Sequence, residues 1–131
     1  MFEDGVVTVF VSSMDAAVHF YTQVLGLKLE NRFGDHWASV KAGKGLTIGL
    51  HPASADSPAG IKGSISIGLQ VSEPIQIVVS HLQKRGAKFN GPIVEDKSGQ
   101  LAFLNDPDGN PLYLHELKVE YRNSTPTPVG A

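Results

Sequence analysis

Asp106, Asp108 and Asn110 place oxygen donors at alternate positions in NDPDGNPLYLHEL, residues 105–117, and Glu116 follows. A calcium loop begins this way. Counted from Asp106, such a loop needs Gly at its sixth place and a bidentate Glu at its twelfth. The sequence has Pro111 and Leu117 there. Proline cannot make the required sharp turn, and the carboxylate is missing. The stretch reads better as a type I turn: Pro107 presets φ, Asp106 accepts from backbone donors, and Gly109 closes the turn. Pro111 then opens a strand, where its missing N–H is tolerated. Beyond it Leu112 and Leu114 face one way, Tyr113 and His115 the other. An imidazole on such a face can act as a general base or as a hydrogen-bond partner for a ligand.

A second histidine stands in the same setting. "GLHP" at 49–52 and "YLHE" at 113–116 each put a His after a Leu near a strand end. His51 and His115 are therefore the leading candidates for ligand contact or catalysis. Other chemistries are missing. With no Cys in the chain, disulfides, thiolate metal sites and cysteine nucleophiles are excluded. "AGKGL" at 42–46 lacks the spacing of a phosphate loop and reads as a hairpin turn.

The elements that position these residues come from a hidden repeat. "VSSMDAAVHFYTQVLGLKL" (11–29) and "VSEPIQIVVSHLQKRGAKF" (71–89) align with an offset of 60, Val11 on Val71, Ser12 on Ser72 and Gly26 on Gly86. Each segment follows an alternating strand. Val7, Val9 and Val11 share a face in the first; Ile65, Ile67, Leu69 and Val71 share one in the second. Each strand leads into an amphipathic helix, with stripes Ala17, Phe20, Tyr21, Val24 and Ile75, Val78, Val79, Leu82. Ser12 or Ser13 can cap the first helix, Pro74 suits the first turn of the second, and Gly26 and Gly86 suit helix ends. Short strand-like segments follow at about 27–33, 36–42 and 46–51, then at about 87–95, 100–105 and 111–117.

The spacing thus predicts an α+β fold of two βαβββ modules curling into a cupped mixed sheet around a shared cavity. A single domain would span 1–118, with module 1 at about 1–52, a linker at 53–63, module 2 at about 64–118, and a flexible tail at 119–131. The chain's 131 residues suit one domain, and its 41% apolar content suffices for a core. A net charge of -2 without a basic patch points away from nucleic acid. No apolar run reaches the about 18 residues of a membrane span. The start lacks a signal-peptide pattern, so a cytoplasmic protein is expected. Asn123-Ser124-Thr125 matches a glycosylation sequon, which means little in that compartment.

With these elements in place, "VSSMDAAVHFYTQVLGLKL" and "LAFLNDPDGNPLYLHE" together resemble vicinal oxygen chelate (VOC) proteins: glyoxalase I, extradiol dioxygenases, fosfomycin-resistance enzymes and bleomycin-binding proteins. The resemblance covers about 1–117. It implies a cavity in a cupped sheet, often a homodimer, and in many members a divalent metal. The family's four ligand positions fall here on Val6, Gly49, Ser66 and Tyr113. A divalent ion needs at least three N or O donors at one point, so the usual metal site is not expected and no cofactor is predicted. A displaced site is the alternative. His51 and His115 each stand two residues, about 7 Å along a strand, past a ligand position, and His36 is a possible third donor.

The cavity-facing positions carried into a ligand site are Thr8, Thr47, His51, Ser66, Gln70, Tyr113 and His115. Tyr113 would bind through its hydroxyl or its ring. Trp37, the sole Trp, is assigned to core packing, with a cavity wall or dimer seam as alternatives. His19 and His81 fall off the helix stripes and are expected in solvent, as is Glu116. Two functions remain. One is a metal-free homodimeric module that binds a small organic molecule. The other is a metal-dependent lyase, isomerase or dioxygenase with a displaced ion, or an enzyme using His51 and His115 as an acid–base pair.

Overall fold

A computed structural model describes residues 1, 4–60 and 65–119. Strand β1 (Val7–Val11) leads through Ser13, whose hydroxyl accepts the Ala16 N–H, into α1 (Met14–Val18). That helix widens into a π-helical turn over His19–Val24. The strands β2 (Lys28–Phe33), β3 (Trp37–Ala42) and β4 (Leu46–Pro52) complete module 1. Module 2 repeats the order with β5 (Ile67–Gln70), α2 (Ile75–Lys84), β6 (Val94–Glu95), β7 (Gly99–Asn105) and β8 (Pro111–Leu117).

Each module forms a four-stranded mixed sheet, ordered β1-β4-β3-β2 and β5-β8-β7-β6. The first strand of each pairs in parallel with the last, which the long connection through the helix and the two intervening strands allows. The registers match: Val7 lies beside Ile48, and Ile67 beside Leu112. Carried three residues on, they set Phe10 beside His51 and Gln70 beside His115. The two histidines therefore occupy equivalent places in the two modules.

Alternation decides which face is buried. Val9, Val11, Ala38, Val40, Ile48 and Leu50 turn toward α1, and its stripe of Ala17, Phe20, Tyr21 and Val24 is buried against them. In module 2, Leu104, Leu112, Leu114 and Ala102 are buried with Ile75 and Leu82, while Val78 and Val79 are half-buried beside them. Both helices end as their glycines require. Gly26 has φ +80° and Gly86 φ +100°. At Gly86 the Ala87 N–H reaches the Leu82 carbonyl at 3.0 Å and the Gly86 N–H that of Gln83 at 3.0 Å, the paired bonds of a Schellman turn.

Three boundaries differ from expectation. The strand expected at 87–95 shrinks to Val94–Glu95 plus one bridge from Phe89 to Leu104. Gly91 at φ +145° and Pro92, which has no N–H, interrupt the ladder between them. Pro74 precedes α2 as its cap at ψ 132° rather than forming its first turn. The opening strand of module 2 begins at Ile67. Residues 61–64 of the linker, most of the tail and the 123–125 sequon lie outside the described residues.

The DPDG turn joins the modules. Asp106 is buried, 5% exposed. Its Oδ1 accepts the Asp108 and Asn110 N–H groups at 2.9 and 2.8 Å, and its Oδ2 the Asn110 amide at 2.8 Å and the Tyr21 hydroxyl at 2.9 Å. Asp108 accepts both the N–H and the hydroxyl of Ser12. The supposed calcium donors are thus spent on the turn and on module 1. Burial, then Asp106, pushes the Tyr21 hydroxyl far above its usual pKa, so it stays a donor. Tyr21→Phe should cost about 1–2 kcal/mol and Asp106→Ala about 3 kcal/mol, since the second strands several donors. Thermal melts read both, at about 3–5 °C per kcal/mol for a chain of this size.

Candidate functional site

The sheet faces turned away from the helices carry the chemistry. In module 1 the register aligns Thr8, Gly49 and Ser39 across β1, β4 and β3, with Phe10 beside His51. The Phe10 and His51 rings meet edge to face with centroids 5.7 Å apart, and Trp37 meets His51 likewise at 6.4 Å. The indole of Trp37 lies on the bare backbone of Gly49, where any Cβ would overlap its six-membered ring. Trp37 is half-buried and absent from the helix-side core. This corrects its assignment to core packing: odd-numbered residues of β3 face away from α1. Nδ1 of His51 lies 2.9 Å from the Pro52 carbonyl oxygen.

Module 2 repeats the arrangement with different partners. Gly68, Tyr113 and Phe103 align across β5, β8 and β7, as do Gln70, His115 and Leu101. The Tyr113 ring covers Gly68 and would overlap any Cβ there. Its ring meets those of Phe103 at 6.2 Å and His115 at 6.4 Å. Nε2 of His115 lies 3.2 Å from the Ser98 Oγ, and that hydroxyl donates to Asp96 Oδ1 at 2.7 Å. The same Asp96 oxygen accepts the N–H groups of Ser98 and Gly99 at 2.8 and 3.0 Å. The Ser98 hydroxyl above all, then these N–H groups, holds the Asp96 carboxyl below its usual pKa.

The expected site residues are divided among several places. Thr8 lines a cleft of about 230 Å³ at the seam between modules, with Phe10, Ile65, Ile67 and Pro111. Gln70 lines a groove of about 330 Å³ beside α2, with Leu25, Leu27 and Arg85. Thr47 lies in a third depression, with Lys41 and Lys44. His51, Ser66 and Gln70 are exposed, while Tyr113 and His115 are half-buried. Glu116 corrects an expectation: it is half-buried on the helix side, and its Oε1 accepts the Ile75 N–H at 2.6 Å, capping α2.

The donor set does not suit the family's divalent ion. Val6 and Gly49 offer no side-chain donor, and Trp37 fills the space above Gly49. Among the described residues no three His, Asp or Glu are grouped as a metal would need. His36 is exposed at the β2–β3 turn. Sequence reasoning missed Phe10, Phe103, Ser98 and Asp96. The first two follow from strand parity. The last two carry a local signal, Asp96-Lys97-Ser98-Gly99, an Asp positioned to bond the backbone two residues on.

Comparison with known proteins bears on this geometry. Residues 5–114 match the family described as the Glyoxalase/Bleomycin resistance protein/Dioxygenase superfamily. The chain is similar to TnmS3, an antibiotic binding protein from Streptomyces sp. CB03234, with 27% identity and TM-score 0.74 over 90% of this chain and 99% of that one. A glyoxalase/bleomycin resistance protein from the same Streptomyces strain shares 26% identity at TM-score 0.67, over 86% of this chain and 99% of that one. Lactoylglutathione lyase from Agrobacterium tumefaciens shares the fold, with 17% identity and TM-score 0.67 over 87% and 94% of the two chains. No protein of curated function matches the sequence significantly. No described helix is long and apolar enough to cross a membrane.

The glycine under Trp37 generates a direct test. Gly49→Ala should push the indole off the sheet, giving red-shifted and more readily quenched emission from the single Trp. Circular dichroism should remain that of the parent protein, because the displaced ring faces solvent rather than the core.

Proposed function

Because the chain belongs to the Glyoxalase/Bleomycin resistance protein/Dioxygenase superfamily, we propose that it binds a small, partly apolar organic molecule on its aromatic sheet faces without the divalent ion of its metal-dependent relatives. The observation that carries this reading is the Trp37 ring seated on Gly49. A position where relatives hold a ligating side chain is here a flat apolar surface. Tyr113 on Gly68 provides a second such surface. Rings recognise flat molecules by stacking and edge contacts, and a few polar groups fix their orientation. His51, His115 and Gln70 supply those groups here. TnmS3, described as an antibiotic binding protein, supports ligand capture rather than turnover.

We further propose that the protein works as a homodimer in the cytoplasm. Phe33 is 63% exposed and Phe103 44% exposed, and a second copy laid over these faces would enclose a ligand that one chain leaves open. Acid–base chemistry on the bound molecule is the second reading. It is favoured by the contact of His115 with Ser98 and, through it, Asp96, since a general base needs an orienting partner.

Two measurements test the proposal. A melt screen of planar organic molecules should raise Tm, since a ligand at 100 times its Kd adds about 2.7 kcal/mol. Trp37 emission should respond to the same compounds, and exhaustive chelation should leave affinity unchanged. Stoichiometric zinc, nickel, manganese or iron in protein purified without chelator would overturn the metal-free reading. His51→Ala and His115→Ala should each weaken the identified ligand about five- to tenfold while unfolding at the parent temperature. Parent-like affinity in both would show that the ligand binds elsewhere.

A further inference from the structure

His51 and His115 hold equivalent register positions, yet their rings are anchored through different nitrogens. Nδ1 of His51 faces the Pro52 carbonyl oxygen. A carbonyl only accepts, so a neutral His51 carries its proton on Nδ1 and leaves Nε2 bare. His115 uses Nε2 toward the Ser98 Oγ. A hydroxyl can donate or accept there, and Asp96 settles the direction. Its ionised carboxylate is an acceptor only, and the charge-assisted bond at 2.7 Å draws the Ser98 hydroxyl proton. The Ser98 oxygen is left with lone pairs for His115, so Nε2 must donate and Nδ1 is the unprotonated nitrogen.

The support is firmly built. Asp96 is held by the Ser98 and Gly99 N–H groups. The Asp96 N–H bonds the Gly99 carbonyl at 2.9 Å, and the Ser98 carbonyl accepts the Lys118 N–H at 2.8 Å. The loop is thereby tied to both its own turn and the end of β8.

We propose that Asp96 and Ser98 are positioning residues that fix His115 as its Nε2–H form, so that Nδ1 selects aromatic ligands bearing a hydroxyl. This rests on the binding reading above and names the ligand class for it. A phenolic O–H can donate to the bare nitrogen while its ring lies against Tyr113 and Phe103. An ether or carbonyl oxygen in the same place would set lone pair against lone pair.

The test uses the full chain labelled with 15N, in buffer alkaline enough for free imidazole to be neutral, about pH 8.5. Two-bond proton–nitrogen spectra should show His115 protonated at Nε2. 2-Naphthol should bind about tenfold more tightly than 2-methoxynaphthalene and should shift the Nδ1 resonance. Ser98→Ala should return His115 to the mixed tautomers of free imidazole and remove the naphthol preference, and Ser98→Thr should restore both. Asp96 keeps its backbone bonds in Ser98→Ala, so the loop persists. The inference falls if His115 is protonated at Nδ1, or if Ser98→Ala leaves spectrum and preference unchanged. Equal binding of the two naphthalenes sinks it while sparing the binding reading. If neither compound perturbs Tyr113, His115 or their neighbours, the inference falls, and the binding reading is then decided by the melt screen of planar molecules.

Discussion

One buried carboxylate holds the two halves of this molecule in register. Asp106 sits in a turn of module 2 and accepts a hydrogen bond from Tyr21 of module 1, 85 residues away in the chain. Among the described residues neither sheet pairs a strand with the other, so no ladder there fixes their relative placement. The Asp106 bond to Tyr21 and the Asp108 bonds to Ser12 do this at the root of β8. The cost of burying the Asp106 charge is offset by four donors converging on its two oxygens. The strand that emerges carries Tyr113 and His115, so the geometry of the candidate site begins at this turn.

The duplicated layout was legible because its physics is local and periodic. Period two marked the strand faces, period three to four the helix stripes, and Gly26 and Gly86 the helix ends. The turn reading of DPDG also followed from residue chemistry. The reading of 87–95 as one strand did not survive, because Gly91 and Pro92 break the ladder locally. Trp37 and Glu116 were misplaced for a different reason. Trp37 was judged by its type rather than by the parity of β3. Glu116 shares the parity of Leu112 and Leu114, yet nothing in its own segment shows that α2 begins opposite it. The Asp96–Ser98–His115 contacts bring β8 against the β6–β7 turn, a tertiary juxtaposition that spacing along the chain does not reveal.

A pattern runs through both modules. Each sheet leaves one glycine bare on its open face and lays an aromatic ring over it, Trp37 on Gly49 and Tyr113 on Gly68. The rings arrive from different strands, so the sequence repeat does not predict them. The outcome is the same: a flat, half-exposed plane beside a histidine at an equivalent register position. On the proposed reading these planes are the stacking platforms, and each depends on the missing side chain of a glycine as much as on the ring laid over it.

The sheet borders carry a last consequence. At the outer border of module 1, β2 displays Lys28, Glu30, Asn31 and Arg32. At that of module 2, β6 is only two residues long. Charged or truncated outer strands make poor templates for backbone pairing with another chain. Fibril-like growth along these two borders is therefore disfavoured, which leaves the aromatic faces rather than the outer strands as the surfaces through which copies of the chain can meet.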